Sequence, residues 1–94
     1  MNKYEIAVVF ATNENDAAYG EEIEKMQALI TRFGGVVDKI DNWGKRKLAY
    51  EIRKQTEGYY SFITFMAEPT VPREIESRVR ITETILRYLI IRAN

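Results

Sequence analysis

The segment Leu48-Ala49-Tyr50-Glu51-Ile52-Arg53-Lys54-Gln55-Thr56-Glu57-Gly58-Tyr59-Tyr60-Ser61-Phe62-Ile63-Thr64-Phe65-Met66 sets the topology of the chain. Leu48, Tyr50 and Ile52 alternate with Ala49, Glu51 and Arg53, and the run from Tyr59 to Met66 is dense in aromatic and β-branched residues, so both halves read as strands. The polar stretch Gln55-Thr56-Glu57-Gly58 between them reads as a hairpin connection, which makes the two strands antiparallel neighbours.

A helix flanks this central hairpin on either side. Upstream, Ile23, Met26, Ile30 and Phe33 recur at gaps of three, four and three, and Gly34-Gly35 follows where a left-handed helix stop belongs. Glu21 precedes Lys25 by four residues on the outer face, and Thr12-Asn13-Glu14-Asn15-Asp16 supplies turn and N-cap chemistry before it. Gly20 leaves the start of this helix open. Downstream, Pro72 suits a first helical turn, Ile75 and Val79 form a short apolar stripe, and Glu74–Arg78 and Glu76–Arg80 are favourable pairs.

Two further strands complete the order. Tyr4, Ile6, Val8 and Phe10 alternate at the start, and Ile85-Leu86-Arg87-Tyr88-Leu89-Ile90-Ile91-Arg92 is rich in strand-formers at the end. The middle strand begins near Val36, and Gly44 after Trp43 predicts a bulge or bend within it. The resulting βαββαβ order predicts an α+β, ferredoxin-like split βαβ fold: a four-stranded antiparallel sheet with two helices on one face. Residues of opposite parity to the core, including Ala7, Val9, Arg87, Leu89 and Ile91, are expected to line the uncovered face. Phe62, Phe65 and at least one tyrosine are expected in the core, because a domain this small needs their burial.

At 94 residues the expectation is one domain over 1–94. Apolar residues at 46% and charged residues at 30% exclude a disordered composition, and no apolar run is long enough to span a bilayer. Cysteine and histidine are both absent, which removes thiolate nucleophiles, disulfides, imidazole bases and the usual zinc ligands. The glycines fit no phosphate-cradling motif, so no nucleotide cofactor is expected. Glu21, Glu22 and Glu24 read as a solvated helix face rather than a metal site. Met1-Asn2-Lys3-Tyr4-Glu5 carries no signal or transit pattern, which makes the cytoplasm the default compartment. The expectation is a protein that is not an enzyme, with no small-molecule substrate and no membrane association.

Acids and bases balance, 14 against 14, but not locally. Residues 1 to 42 hold four bases and eight acids, whereas Lys45, Arg46, Lys47, Arg53 and Lys54 meet only Glu51 between Trp43 and Lys54. Such a cluster either guards a strand edge or meets a polyanion. Aromatic residues beside bases suit RNA, although Glu57 to Thr64 agrees with the RNA-recognition-motif octapeptide only at Gly58 and Tyr59. If three to five of these cations meet phosphates, binding falls with salt at a log–log slope of about minus three to minus five. An otherwise neutral chain then holds RNA modestly alone, and a second protein would supply the missing charge.

The segment Trp43-Gly44-Lys45-Arg46-Lys47-Leu48-Ala49-Tyr50-Glu51-Ile52-Arg53-Lys54, with Glu57-Gly58-Tyr59-Tyr60 after it, resembles the bacterial small-subunit ribosomal protein S-six family. The Gly-x-Arg-x-Leu-Ala-Tyr-x-Ile core carries the likeness, supported by Tyr4-Glu5, Gly34-Gly35, and Arg80-Ile81 through Ile85-Leu86-Arg87-Tyr88-Leu89; Glu51 stands where many members have proline. The resemblance implies a non-catalytic protein binding 16S ribosomal RNA together with ribosomal protein S-eighteen in the small subunit. Carried onto this sequence, it nominates Lys3, Lys45, Arg46, Lys47, Arg53 and Lys54 for RNA or partner contact, with Arg87 and Arg92 added. Trp43, Val9, Leu89 and Ile91 are the candidate partner-binding residues. The competing expectation is a protein-interaction or ligand-binding regulatory domain that uses the open sheet face.

Overall fold

The computed structural model describes residues 1–12 and 16–93, so the turn expected over Asn13 to Asn15 lies outside the described residues. The elements run β1 (Asn2–Ala11), α1 (Asp16–Arg32), β2 (Val36–Ile52), β3 (Gln55–Ala67), α2 (Val71–Val79) and β4 (Ile85–Arg92). The sheet order is β2-β3-β1-β4, and every neighbouring pair is antiparallel, as the βαββαβ reading requires. At the end of the sheet opposite the β2–β3 turn, the Ala93 amide donates to the Lys3 carbonyl at 2.8 Å, so the last described residue lies beside the first strand.

The core lies between the sheet and the two helices. Ile6, Val8 and Phe10 from β1 and Ile63, Phe65 and Ala67 from β3 meet Ile23, Met26 and Ile30 of α1 and Val71, Ile75 and Val79 of α2. Each fully buried aliphatic or phenyl side chain contributes about 1.5–3 kcal/mol, which is why strand parity is enforced here. The α1 stripe starts one turn earlier than expected: Tyr19 is buried and stacks on Tyr59 with ring centroids 4.2 Å apart. Tyr59 is therefore the core tyrosine of β3, whereas Phe62 takes the opposite parity and faces the uncovered side, against the expectation that it is core.

α1 ends as read. The Gly35 amide donates to the Ile30 carbonyl and the Gly34 amide to that of Thr31, with Gly34 at φ 92°, the paired bonds of a Schellman stop. On α1 Lys25 pairs with Glu22 at 3.6 Å, one residue on from the expected Glu21; on α2 the expected Arg80–Glu76 pair forms at 3.3 Å. The Arg80 guanidinium is raised above its ordinary pKa, first by a hydrogen bond with Tyr88 and then by Glu76.

β2 is the irregular strand. Its register with β3 shifts at Val37/Lys39, at Asn42/Gly44 and again between Lys47 and Ile52. The second shift accommodates Trp43 and places Gly44 at φ 79°, which is the bend foreseen at that glycine. The buried Ser61 hydroxyl is satisfied across this bend by donating to Asn42 Oδ1 at 2.7 Å.

The hairpin turn corrects the sequence reading. Ile52 pairs directly with Gln55, so the turn is Arg53-Lys54, and Gln55-Thr56-Glu57-Gly58 already belongs to β3. Both turn residues have positive φ, 47° and 65°. That is a two-residue turn of the kind usually built from Asn-Gly, formed here by residues without that signature.

Beyond the last register shift the hairpin curls over the uncovered side of the sheet. Leu48 packs on Val9 and Leu86, with Ala11, Ile52 and Tyr60 around them, forming a second small core on that side. Gly58 makes this approach possible: a Cβ there would collide with Val9 Cγ1 and lie 3.3 Å from Leu48 Cδ2. The uncovered face is therefore covered at its hairpin end.

Two stability measurements test this local account. Lys54→Gly is expected to raise unfolding free energy by about 0.5–1 kcal/mol, because it relieves a left-handed backbone at a non-glycine residue; an unchanged or lowered denaturation midpoint would contradict the turn geometry. Gly58→Ala is expected to cost about 1–3 kcal/mol by overpacking. Val9→Ala in the same chain should recover part of that loss, which a double-mutant cycle reads directly.

Candidate nucleic-acid and protein interface

Strand register decides which way each cation of the hairpin points. Lys45 lies opposite Tyr59 and Lys47 opposite Glu57, on the outer side of the curl, whereas Arg46 lies opposite Gly58 on the inner side. The Arg46 guanidinium sits 6.0 Å from the Trp43 ring centre, at the outer limit of a cation–π contact. Lys45, Arg46, Lys47, Arg53 and Lys54 are all exposed. The structure thus brings together five of the eight nominated cations on one short ribbon, where their fields add.

Arg87 of β4 joins them from the other side of the sheet. Its guanidinium lies 5.5 Å from the Tyr50 ring centre, so the curled hairpin reaches across β3 and β1 to the opposite outer strand. Arg53 Nη1 donates to the Glu83 carbonyl at 3.0 Å, and Thr12 Oγ1 donates to Gln55 Oε1 at 3.2 Å, tying the same end to neighbouring loops. Lys3 and Arg92 are elsewhere. Lys3 approaches Asp38 at 4.0 Å and Arg92 donates to Asn2 Oδ1 at 3.1 Å, at the far end of the sheet, about 25 Å away along β1 at the usual rise per residue.

Beside the hairpin lies an apolar and aromatic surface. Trp43 and Phe62 are in ring contact with centroids 4.5 Å apart, and the Trp43 indole donates to Asp41 Oδ2 at 3.1 Å, which fixes its orientation. Next to them a shallow depression of about 220 Å³ is lined by Ala7, Val9, Tyr60, Phe62, Arg87 and Leu89. That volume falls below the roughly 300–1,000 Å³ of small-molecule pockets, and its open shape fits a side chain or a strand of another protein better than a cofactor.

Of the four nominated partner-binding residues, Trp43, Leu89 and Ile91 are exposed, at 49%, 61% and 47%. Val9 is only 7% exposed, because Leu48 and Leu86 lie over it. It supports the curl and offers little surface. Tyr60 and Phe62 are the residues the sequence reading underused; extending the β3 parity back from the core positions Ile63 and Phe65 would have turned Phe62 outward. Tyr50, one of the alternating residues of β2, is 59% exposed and engages Arg87.

Glu22 is engaged by Lys25 and by the Thr84 hydroxyl, and among the described residues no cluster of three or more acidic side chains is arranged to hold a metal. Among those residues, no helix is long and apolar enough to cross a membrane.

Comparison with known proteins agrees with this geometry. A family model described as Ribosomal protein S6 matches residues 3–92. The small ribosomal subunit protein bS6 of Clostridium kluyveri is 45% identical over 92 residues, spanning 98% of this chain and 97% of that protein. The bS6 of Clostridium botulinum is 42% identical over 91 residues, 97% of each. The crystal structure of 30S ribosomal protein S6 from Thermotoga maritima matches the backbone with a TM-score of 0.92 at 31% identity, covering 98% of this chain and 87% of that one. Sequence and backbone agree over nearly the whole length, so the chain belongs to the ribosomal protein S6 family and is a structural, non-enzymatic component of the small ribosomal subunit.

Proposed function

We propose that this chain binds 16S ribosomal RNA jointly with ribosomal protein S-eighteen, using the basic hairpin for RNA and the neighbouring sheet face for the partner protein. Its compartment is the cytoplasm, within the small subunit. The observation that supports the division is the contrast between two adjoining surfaces. One is a curled ribbon carrying Lys45, Arg46, Lys47, Arg53 and Lys54; the other is an apolar and aromatic patch built from Trp43, Phe62, Leu89 and Ile91. Exposed cations attract a polyanion at long range, while apolar area rimmed by polar groups suits a protein partner.

The whole chain is neutral, so RNA gains little from it beyond this ribbon. A partner held against the sheet face adds its own contacts to the same RNA, and binding then behaves as a linked, two-protein event. The alternative of a small-ligand regulatory domain finds less support, since the depression on the sheet face is shallow.

Reconstitution with 16S ribosomal RNA measures this. RNA affinity should rise when ribosomal protein S-eighteen is added, and Arg46→Glu with Lys47→Glu should weaken the assembly about tenfold or more while leaving the thermal midpoint within a few degrees. Leu89→Asp should weaken association with the partner protein before RNA is added. Assembly indifferent to both changes would refute the two-surface reading.

A further inference from the structure

The arginines and the lysines of the hairpin end are differently committed. Arg87 lies over Tyr50 and Arg53 donates to the Glu83 carbonyl, contacts that both bridge the curled ribbon to the β4 side of the sheet. Lys45 and Lys47 project from the outer side of the curl, Lys54 sits in the turn, and none of the three side chains enters an ion pair or hydrogen bond among the described residues.

We propose that Arg53 and Arg87 are positioning residues that clasp the hairpin against the sheet, and that Lys45, Lys47 and Lys54 carry the direct phosphate contacts. The inference rests on the RNA-binding reading above and gives separate roles to cations that a charge count treats alike.

The physical reasoning is one of preorganisation. A two-stranded ribbon running past the body of a sheet is marginally stable by itself. Here it is bent by the register shift between Lys47 and Ile52 and turned through two left-handed non-glycine residues, so it needs anchors to hold one shape. The small core around Leu48 supplies an apolar anchor near the middle of the curl. The two arginine contacts lie further out, at Tyr50 and at the turn itself. Guanidinium suits both tasks, stacking flat on a ring and donating in fixed directions, whereas lysine is a compact point charge on a flexible stem. Ordering the ribbon in the free protein removes an entropy cost that RNA binding would otherwise carry.

The two roles leave different signatures. A phosphate contact contributes to the salt dependence of binding, about 0.7 to 0.9 in the log–log slope for each phosphate neutralised. A clasp contributes to affinity without changing that slope. In the assembly with 16S ribosomal RNA and ribosomal protein S-eighteen, Lys45→Gln, Lys47→Gln and Lys54→Gln should each flatten the slope by that amount. Arg87→Ala and Tyr50→Ala should each weaken binding about two- to fivefold at unchanged slope, and the double variant should be no worse than either single one. In the free protein both variants should speed amide hydrogen exchange over residues 50–57 while leaving the β1–β3 ladder protected.

A flattened slope for Arg87→Ala together with an unaffected Tyr50→Ala would overturn the clasp and make Arg87 a phosphate ligand. Unchanged exchange over residues 50–57 in both variants would overturn it without any RNA present. If the unsubstituted chain fails to bind RNA even with the partner, the functional reading falls and the lysine assignment with it, while the exchange result still decides the clasp.

Discussion

Everything distinctive about this molecule follows from the contact that Gly58 permits between Val9 of the central strand and Leu48 of the β2–β3 hairpin. A sheet with helices on one side only leaves its other side to water, and the long hairpin would ordinarily continue as a loose ribbon. Because β3 has no side chain at that point, Leu48 reaches Val9 and Leu86, and the ribbon folds across the sheet instead. The cations beyond Gly44 are thereby carried on a curved ribbon, and the uncovered face is divided into a covered end and an accessible remainder in which Phe62 and Leu89 lie beside Glu5, Asp41 and Thr64.

The same contact gives a short stretch of this sequence its structural meaning. In Gly-x-Arg-x-Leu-Ala-Tyr-x-Ile, Gly44 is the left-handed bend, Leu48 is the buried knob, Tyr50 meets Arg87, and Ile52 closes the small core before the turn. The motif in this chain is mainly a description of curvature. It also determines where Lys45, Arg46 and Lys47 stand on the ribbon.

Periodicity made the element order and the helix-side core legible, because burial on one face imposes a strict alternation on β1 and β3 and a 3.6-residue stripe on α1. The hairpin turn was not legible. Arg53-Lys54 carries none of the glycine or asparagine that usually marks a left-handed pair, while Gln55-Thr56-Glu57-Gly58 offers a misleading polar stretch. Phe62 was misassigned because composition argued for burying every aromatic ring, yet the parity of Ile63 and Phe65 turns it toward Trp43. The burial of Val9 was not legible, because the curl that covers it comes from tertiary packing between residues about forty positions apart. Charge grouping was visible in the sequence; the contacts of Arg53 with Glu83 and of Arg87 with Tyr50 needed the tertiary structure.

The strand that carries Val9 occupies an inner place in the sheet, and its two neighbours come from very different points in the chain. β3 reaches it from residues 58–67, whereas β4 reaches it from residues 85–92. One flank of β1 therefore stays open until residues 85–92 have folded back onto it. Closing that non-local ladder carries a loop-closure cost that the helix-side contacts do not, which makes it a comparatively slow event in folding.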